Sequence, residues 1–149
     1  MICWLVSKTP QNTRMALQQY RALADFRYEL RRFLRYSEQV TRRSGMTPLQ
    51  YQLLLQIKGF PEHELATIGR LAERLQAKHH GVVALATRCE KLGLIKRHAS
   101  EADRRVVYLT LSEKGSRALE LLARAHRDEL LALRGRFLAP PLGPEEPVA

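Results

Sequence analysis

Cysteine and tryptophan are scarce in this chain, and acidic residues are outnumbered. The 149 residues include 2 Cys and 1 Trp, with 15 Asp and Glu against 25 Lys and Arg. Cys3 and Cys89 lie far apart and form no metal-ligand spacing, so neither a cysteine metal site nor a structural disulfide is expected, and a reducing compartment fits. No apolar run approaches the roughly 20 residues that span a bilayer. The opening Met1-Ile2-Cys3-Trp4-Leu5-Val6 is too short for a signal-peptide core and runs into Lys8 and Pro10. A cytoplasmic protein with no membrane partner is expected. A Gly-rich phosphate loop, a nucleophile motif and a metal signature are all missing, which argues against an enzyme and leaves no cofactor to expect. Glu120, Asp128 and Glu129 read as surface charges on a helix.

What is present is positive charge, unevenly placed. The net charge is +10, and the basic excess falls in residues 1–60 and 70–105, while residues 106–149 are balanced. That distribution points to a polyanionic partner.

Apolar spacing predicts a chain of helices. Residues 14–45 read as one long helix, in which Leu23, Phe26, Leu30, Phe33, Ser37 and Val40 recur at steps of three and four, as on a helix–helix seam. Leu17, Tyr20, Ala24 and Leu34 widen the stripe beyond what one small domain needs to cover, which suggests a partner subunit. Gly45 ends this helix. Thr47-Pro48-Leu49-Gln50 opens the next with a capping box and Pro in the first turn, and Leu49, Leu53, Leu54 and Ile57 form its buried face. Thr67 caps a short helix carrying Ile68, Leu71, Ala72 and Leu75. Another begins near Lys78 and carries Val82, Leu85, Ala86 and Cys89, with Leu92-Gly93 at its end. Two such helices joined by a tight turn are a helix-turn-helix. Strands at 94–98 and 105–111, with Asp103, Arg104 and Arg105 between them, add a hairpin wing. A last helix starts at the cap Ser112 and reaches Phe137, lined by Leu119, Leu122, Leu130, Leu133 and Phe137, with Leu121 and Leu131 off that side. The Pro-rich tail, 138–149, cannot be helical. The expected fold is mainly α with a small β-hairpin wing. It is a winged helix-turn-helix over 47–111, within a single domain over 1–149, and the long terminal helices 14–45 and 113–137 dimerise.

Three stretches carry a resemblance over residues 17–137. They are Leu71-Ala72-Glu73-Arg74-Leu75, then Cys89-Glu90-Lys91-Leu92-Gly93-Leu94-Ile95-Lys96-Arg97, then Asp103-Arg104-Arg105 followed by Leu109-Thr110-Leu111-Ser112-Glu113-Lys114-Gly115. In this order they resemble the multiple antibiotic resistance regulator (MarR) family of winged helix-turn-helix repressors. The resemblance implies a homodimer on a palindromic DNA duplex, and in many relatives release of DNA by a small aromatic or phenolic ligand or by cysteine oxidation. It also implies that Arg105 is a minor-groove arginine, with Asp103 the acid two residues before it. The physics agrees, since a guanidinium suits the narrow, negative minor groove and a neighbouring carboxylate can fork with it. The second helix of the motif departs from the family where it begins Lys78-His79-His80-Gly81, in place of a Ser or Thr cap and an Arg.

A helix in the major groove presents its N-terminal residues to base edges. His79 and His80 can bond those edges, Val83 and Ala84 can meet thymine methyls, and Lys78, Arg88 and Lys91 flank them, with Arg88 and Lys91 nearer phosphates. Arg97 and Arg104 complete the expected DNA-binding set. Leu23, Phe26, Leu30, Phe33, Leu122, Leu130, Leu133 and Phe137 are the expected dimer contacts. Phe33, Tyr36, Tyr51 and Leu53 are the candidates for a small aromatic effector. His63, His79, His80, His98 and His126 lack ligand spacing, so no metal site is expected. Cys89 reads as a core thiol and Cys3 as an exposed one open to oxidation. Two other readings stay open: an architectural DNA binder without a ligand switch, and a winged-helix protein-interaction module.

Overall fold

A computed structural model describes residues 15–133. Their order is α1 (Leu17–Arg43), α2 (Pro48–Lys58), α3 (Ile68–Arg74), α4 (His79–Lys91), β1 (Ile95–Ala99), β2 (Val107–Leu111) and α5 (Glu113–Ala132). The strands pair antiparallel, Ile95 with Leu111 through Ala99 with Val107. The chain is thus mainly helical with one hairpin, as expected. No helix among the described residues is long and apolar enough to cross a membrane.

Local chemistry sets the helix ends. Thr47 accepts a bond from Gln50 N while the Gln50 side chain accepts from Thr47 N, which closes a capping box on α2. Thr67 caps α3 and Ser112 caps α5, each through its hydroxyl oxygen. Lys78 precedes α4 with no side-chain cap bond. Beyond α1 the chain turns at Gly45, whose φ of +79° is strained for any side chain with a Cβ.

Helix α2 is the hub, packed against each of the other helices and β2. Leu53, Leu54, Leu71, Ala86, Cys89, Val82 and Leu109 are wholly or almost wholly buried around it. Each large aliphatic side chain there contributes about 1.5–3 kcal/mol by leaving water. Leu109 N donates to Ala66 O, which fastens β2 to the chain just before α3.

Several expectations need correction. Leu49, in the first turn of α2, is half exposed rather than part of the buried face. The second strand starts at Val107 rather than 105, since Val106 N bonds Asp103 O inside the wing loop. Leu122 and Leu133, expected on a dimer face, are buried within this chain, and Leu122 belongs to its core. Leu130 is exposed, whereas Leu23, Phe26, Leu30 and Phe33 on α1 are half-buried. Phe137, Cys3, the end of the expected last helix and the Pro-rich tail lie outside the described residues.

Candidate nucleic-acid interface

The inner face of α4 is fixed by Val82, Leu85, Ala86 and Cys89, all buried. Helical periodicity then turns Lys78, His79, His80, Ala84, Arg88 and Lys91 outward, and all six are exposed. Val83 is half-buried, at the edge of that face. Lys78, Arg88 and Lys91 form no ion pair among the described residues, so their charges are not spent inside the chain. Burial pushes the Cys89 thiol up to about 11, opposed in part by the neighbouring Arg88. Buried and disfavoured as a thiolate, the Cys89 sulfur is part of the core, as expected.

The wing loop holds its own ion pair. Asp103 Oδ1 accepts from Arg105 N at 3.0 Å and from Arg105 Nε at 3.2 Å, and Oδ2 lies 3.4 Å from Nη2. The Arg105 side chain is 91% exposed, so the carboxylate aims a guanidinium that otherwise projects into solvent. The side-chain bond and then the backbone bond from Arg105 hold the Asp103 carboxyl below its ordinary value. Arg104 is exposed beside it.

Arg97 departs from expectation. It folds back from β1 onto α4, with Nη2 donating to Thr87 Oγ1 at 2.9 Å and Nε lying 2.9 Å from Glu90 Oε2. The Nε–H does not point along that contact, which is therefore ionic rather than a directional hydrogen bond. Arg97 is half-buried and engaged within the chain, which corrects its assignment as a DNA contact.

Three of the effector candidates meet at His126, which the sequence offers only as one of five histidines without ligand spacing. Tyr51 stacks on the His126 ring at 4.4 Å between centroids, and Phe33 and Tyr36 meet it edge-on at 6.1 and 6.2 Å. His126 Nδ1 lies 2.7 Å from Leu122 O, and Nε2 lies 2.7 Å from Ser37 Oγ. A carbonyl only accepts, so Nδ1 carries a proton, and in the neutral ring Nε2 accepts from the Ser37 hydroxyl. Tyr36 donates its hydroxyl to Ala125 O at 3.4 Å. Burial raises the Tyr51 phenol above its ordinary value. Leu53, the fourth candidate, is fully buried in the core, where its role is packing. The spacing from Leu119 and Leu122 to position 126 placed this histidine on the inward face of α5, a signal already present in the sequence. Among the described residues no cluster could hold a metal ion.

Comparison with known proteins bears on this geometry. Residues 44–106 match the family model described as MarR family. The HTH-type transcriptional repressor MdtR of Bacillus subtilis is 30% identical over 97 residues, which cover 65% of this chain. The chain spans 58% of that repressor's length. A MarR family protein from Bacillus stearothermophilus superposes with a TM-score of 0.68 at 23% identity, over 84% of this chain and 86% of that one. A MepR mutant of S. aureus bound to an oligodeoxyribonucleotide superposes at 0.62 with 21% identity, over 73% and 78% of the two chains. With its helix order, its hairpin and the matched segment in agreement, the chain shares the winged helix-turn-helix fold of these proteins and is similar to the MarR family over residues 44–106.

Proposed function

We propose that this protein is a cytoplasmic transcriptional repressor. It binds a palindromic DNA duplex as a homodimer and is relieved by a small aromatic ligand. Its work is binding, not catalysis. The observation that carries the reading is the wing tip, where Asp103 holds the almost fully exposed Arg105 guanidinium. The outward basic face of α4 supports it, as do a relative that is a transcriptional repressor and a structural neighbour bound to an oligodeoxyribonucleotide. In this reading α4 lies in the major groove, with Lys78, His79, His80, Val83 and Ala84 toward bases and Arg88 and Lys91 toward phosphates. The wing places Arg105 and Arg104 at the adjacent minor groove. The partner subunit covers apolar surface that α1 and α5 leave open. Phe33, Tyr36 and Tyr51, grouped around His126, are the place for the aromatic effector.

The test is selection of bound duplexes from a random pool, followed by fluorescence anisotropy across a salt series. The expected result is a palindromic site whose affinity falls steeply with salt. Arg105→Ala removes one guanidinium per subunit, each worth roughly 1–3 kcal/mol, and should weaken the site about thirtyfold to twenty-thousandfold if the wings act independently. Arg105→Ala binding within twofold of wild type at every salt concentration would exclude a wing that reads DNA. Titrating phenolic acids into the complex distinguishes a ligand-relieved repressor from an architectural binder, which would stay bound.

A further inference from the structure

Most ion pairs among the described residues are local. Arg32–Glu29, Arg117–Glu113, Arg124–Glu120, Arg127–Asp128 and Arg105–Asp103 each join residues within one helix or one turn. The pair formed by Arg97 and Glu90 instead joins the wing strand β1 to α4. It is reinforced by the bond from Arg97 Nη2 to Thr87 Oγ1, and Thr87 in turn donates to Val83 O at 2.9 Å. One guanidinium thus grips α4 at two positions one turn apart, and through Thr87 reaches the carbonyl of a residue at the edge of its outward face. The planar fork of arginine suits this; a lysine ammonium cannot hold both partners in the same plane.

Resting on the DNA-binding reading above, we infer that Arg97, Thr87 and Glu90 are positioning residues for DNA readout. They lock wing and α4 into one rigid unit, so that the Arg105 tip and the α4 face meet adjacent grooves in register, and none of the three contacts the duplex itself. Register matters for a specific site and little for nonspecific binding, where phosphate attraction dominates.

Glu90 gives a test with opposed signs. Glu90→Gln removes a negative charge close to a polyanion, so electrostatics alone makes every duplex bind tighter. Loss of the lock makes the selected duplex bind weaker. Affinities are measured by anisotropy for wild type, Glu90→Gln, Arg97→Gln, the Glu90→Gln/Arg97→Gln double variant, Arg97→Lys, Thr87→Val and Arg88→Gln. The probes are the duplex selected from a random pool and a scrambled duplex of equal length, across a potassium chloride series. The expected outcome is a loss of about tenfold on the selected duplex for Glu90→Gln and Arg97→Gln, with the double variant no worse than the poorer single. On the scrambled duplex Glu90→Gln should bind equally or tighter. Arg97→Lys should rescue little, and Thr87→Val should share part of the loss. The salt slope on the selected duplex should stay near wild type for Arg97→Gln, whereas Arg88→Gln, a phosphate-facing comparison, lowers it by about 0.9 per subunit. Circular dichroism and urea unfolding follow the fold, and Thr87→Val, nearly isosteric, carries the test should an Arg97 variant unfold. Tighter binding of both duplexes by Glu90→Gln overturns the inference, and so does a salt slope for Arg97→Gln that falls as it does for Arg88→Gln. If wild type binds no duplex in a salt-dependent way, the DNA reading falls and the lock's role with it; if wild type binds and the variants match it, only the lock falls.

Discussion

Cys89 and Asp103 show how one fold shifts two acids in opposite directions. At Cys89 the cause is burial, which disfavours the thiolate and raises the group to about 11. The folded state therefore holds its proton through a range in which the unfolded chain loses it. Stability from this site is complete below the ordinary thiol value, near 9, and is lost as pH rises toward 11. Urea unfolding at pH 8 and pH 10 should show that decline, and Cys89→Ala should flatten it. A thiol reagent at pH 8 should modify Cys89 only as fast as the protein opens. At Asp103 the cause is Arg105, and the shift is downward. The pair is complete above the ordinary carboxylate range and is lost only as pH falls through the lowered value. An NMR titration of the Asp103 carboxyl should find its midpoint below about 3.9, the unperturbed value, and Arg105→Ala should move it back up. His126 belongs to a third kind, a polar ring made part of the packing by two hydrogen bonds and three aromatic neighbours. His126→Ala should cost about 3–4 kcal/mol in urea unfolding, because it opens a ring-sized cavity and strands the Ser37 hydroxyl.

At the scale of elements, the start of α5 carries the tightest contact. A Cβ at Gly115 would overlap the carbonyl of Leu94, so only glycine lets the first turn of α5 close against the chain entering β1. Around it Ser112 Oγ donates to Gly93 O at 2.6 Å, Lys114 Nζ to Leu92 O at 2.8 Å, and Ser112 N to Leu94 O at 3.0 Å. These bonds satisfy the carbonyls of the three residues that follow α4. Gly115→Ala should lower stability by about 3 kcal/mol or more, read by urea unfolding, since the obstruction is backbone and cannot swing aside. The caps Thr47, Thr67 and Ser112 and the inward faces of α3 and α4 were legible in the sequence, because capping and periodicity are local. Arg97 was not, because whether an arginine on a short strand turns to solvent or to a helix depends on what that helix presents, here Thr87 and Glu90. Leu122 was misplaced for a related reason: the apolar spacing on α5 does not say whether the cover comes from the same chain or another. Phe33, Tyr36 and Tyr51 lie together around His126, a ring that metal-ligand spacing alone does not reveal.

At the scale of the whole molecule, α1 and α5 leave large apolar side chains in the open. Leu17 is 65% exposed, Tyr28 61% and Leu121 69%, with Tyr20, Leu34 and Leu131 also open. Scattered exposed leucines are ordinary, but this many on two neighbouring helices is a surface that association would cover. Sedimentation at micromolar concentration should give twice the 17.1 kDa chain mass. Leu34→Glu with Leu121→Glu should shift it toward the monomer while leaving the circular dichroism intact, and should weaken duplex binding with it. A clean wild-type monomer would exclude the dimer. The tight junction at Gly115 then has a mechanical meaning. Helix α5 has 20 residues, so it is an arm of about 30 Å, and its fulcrum is welded to the end of α4. A tilt of about 5° at that fulcrum corresponds to about 2.6 Å of travel at the far end, for an arm of this length. Whatever grips the far end therefore turns α4 with leverage, and a small shift there becomes a change in the bearing of its outward face.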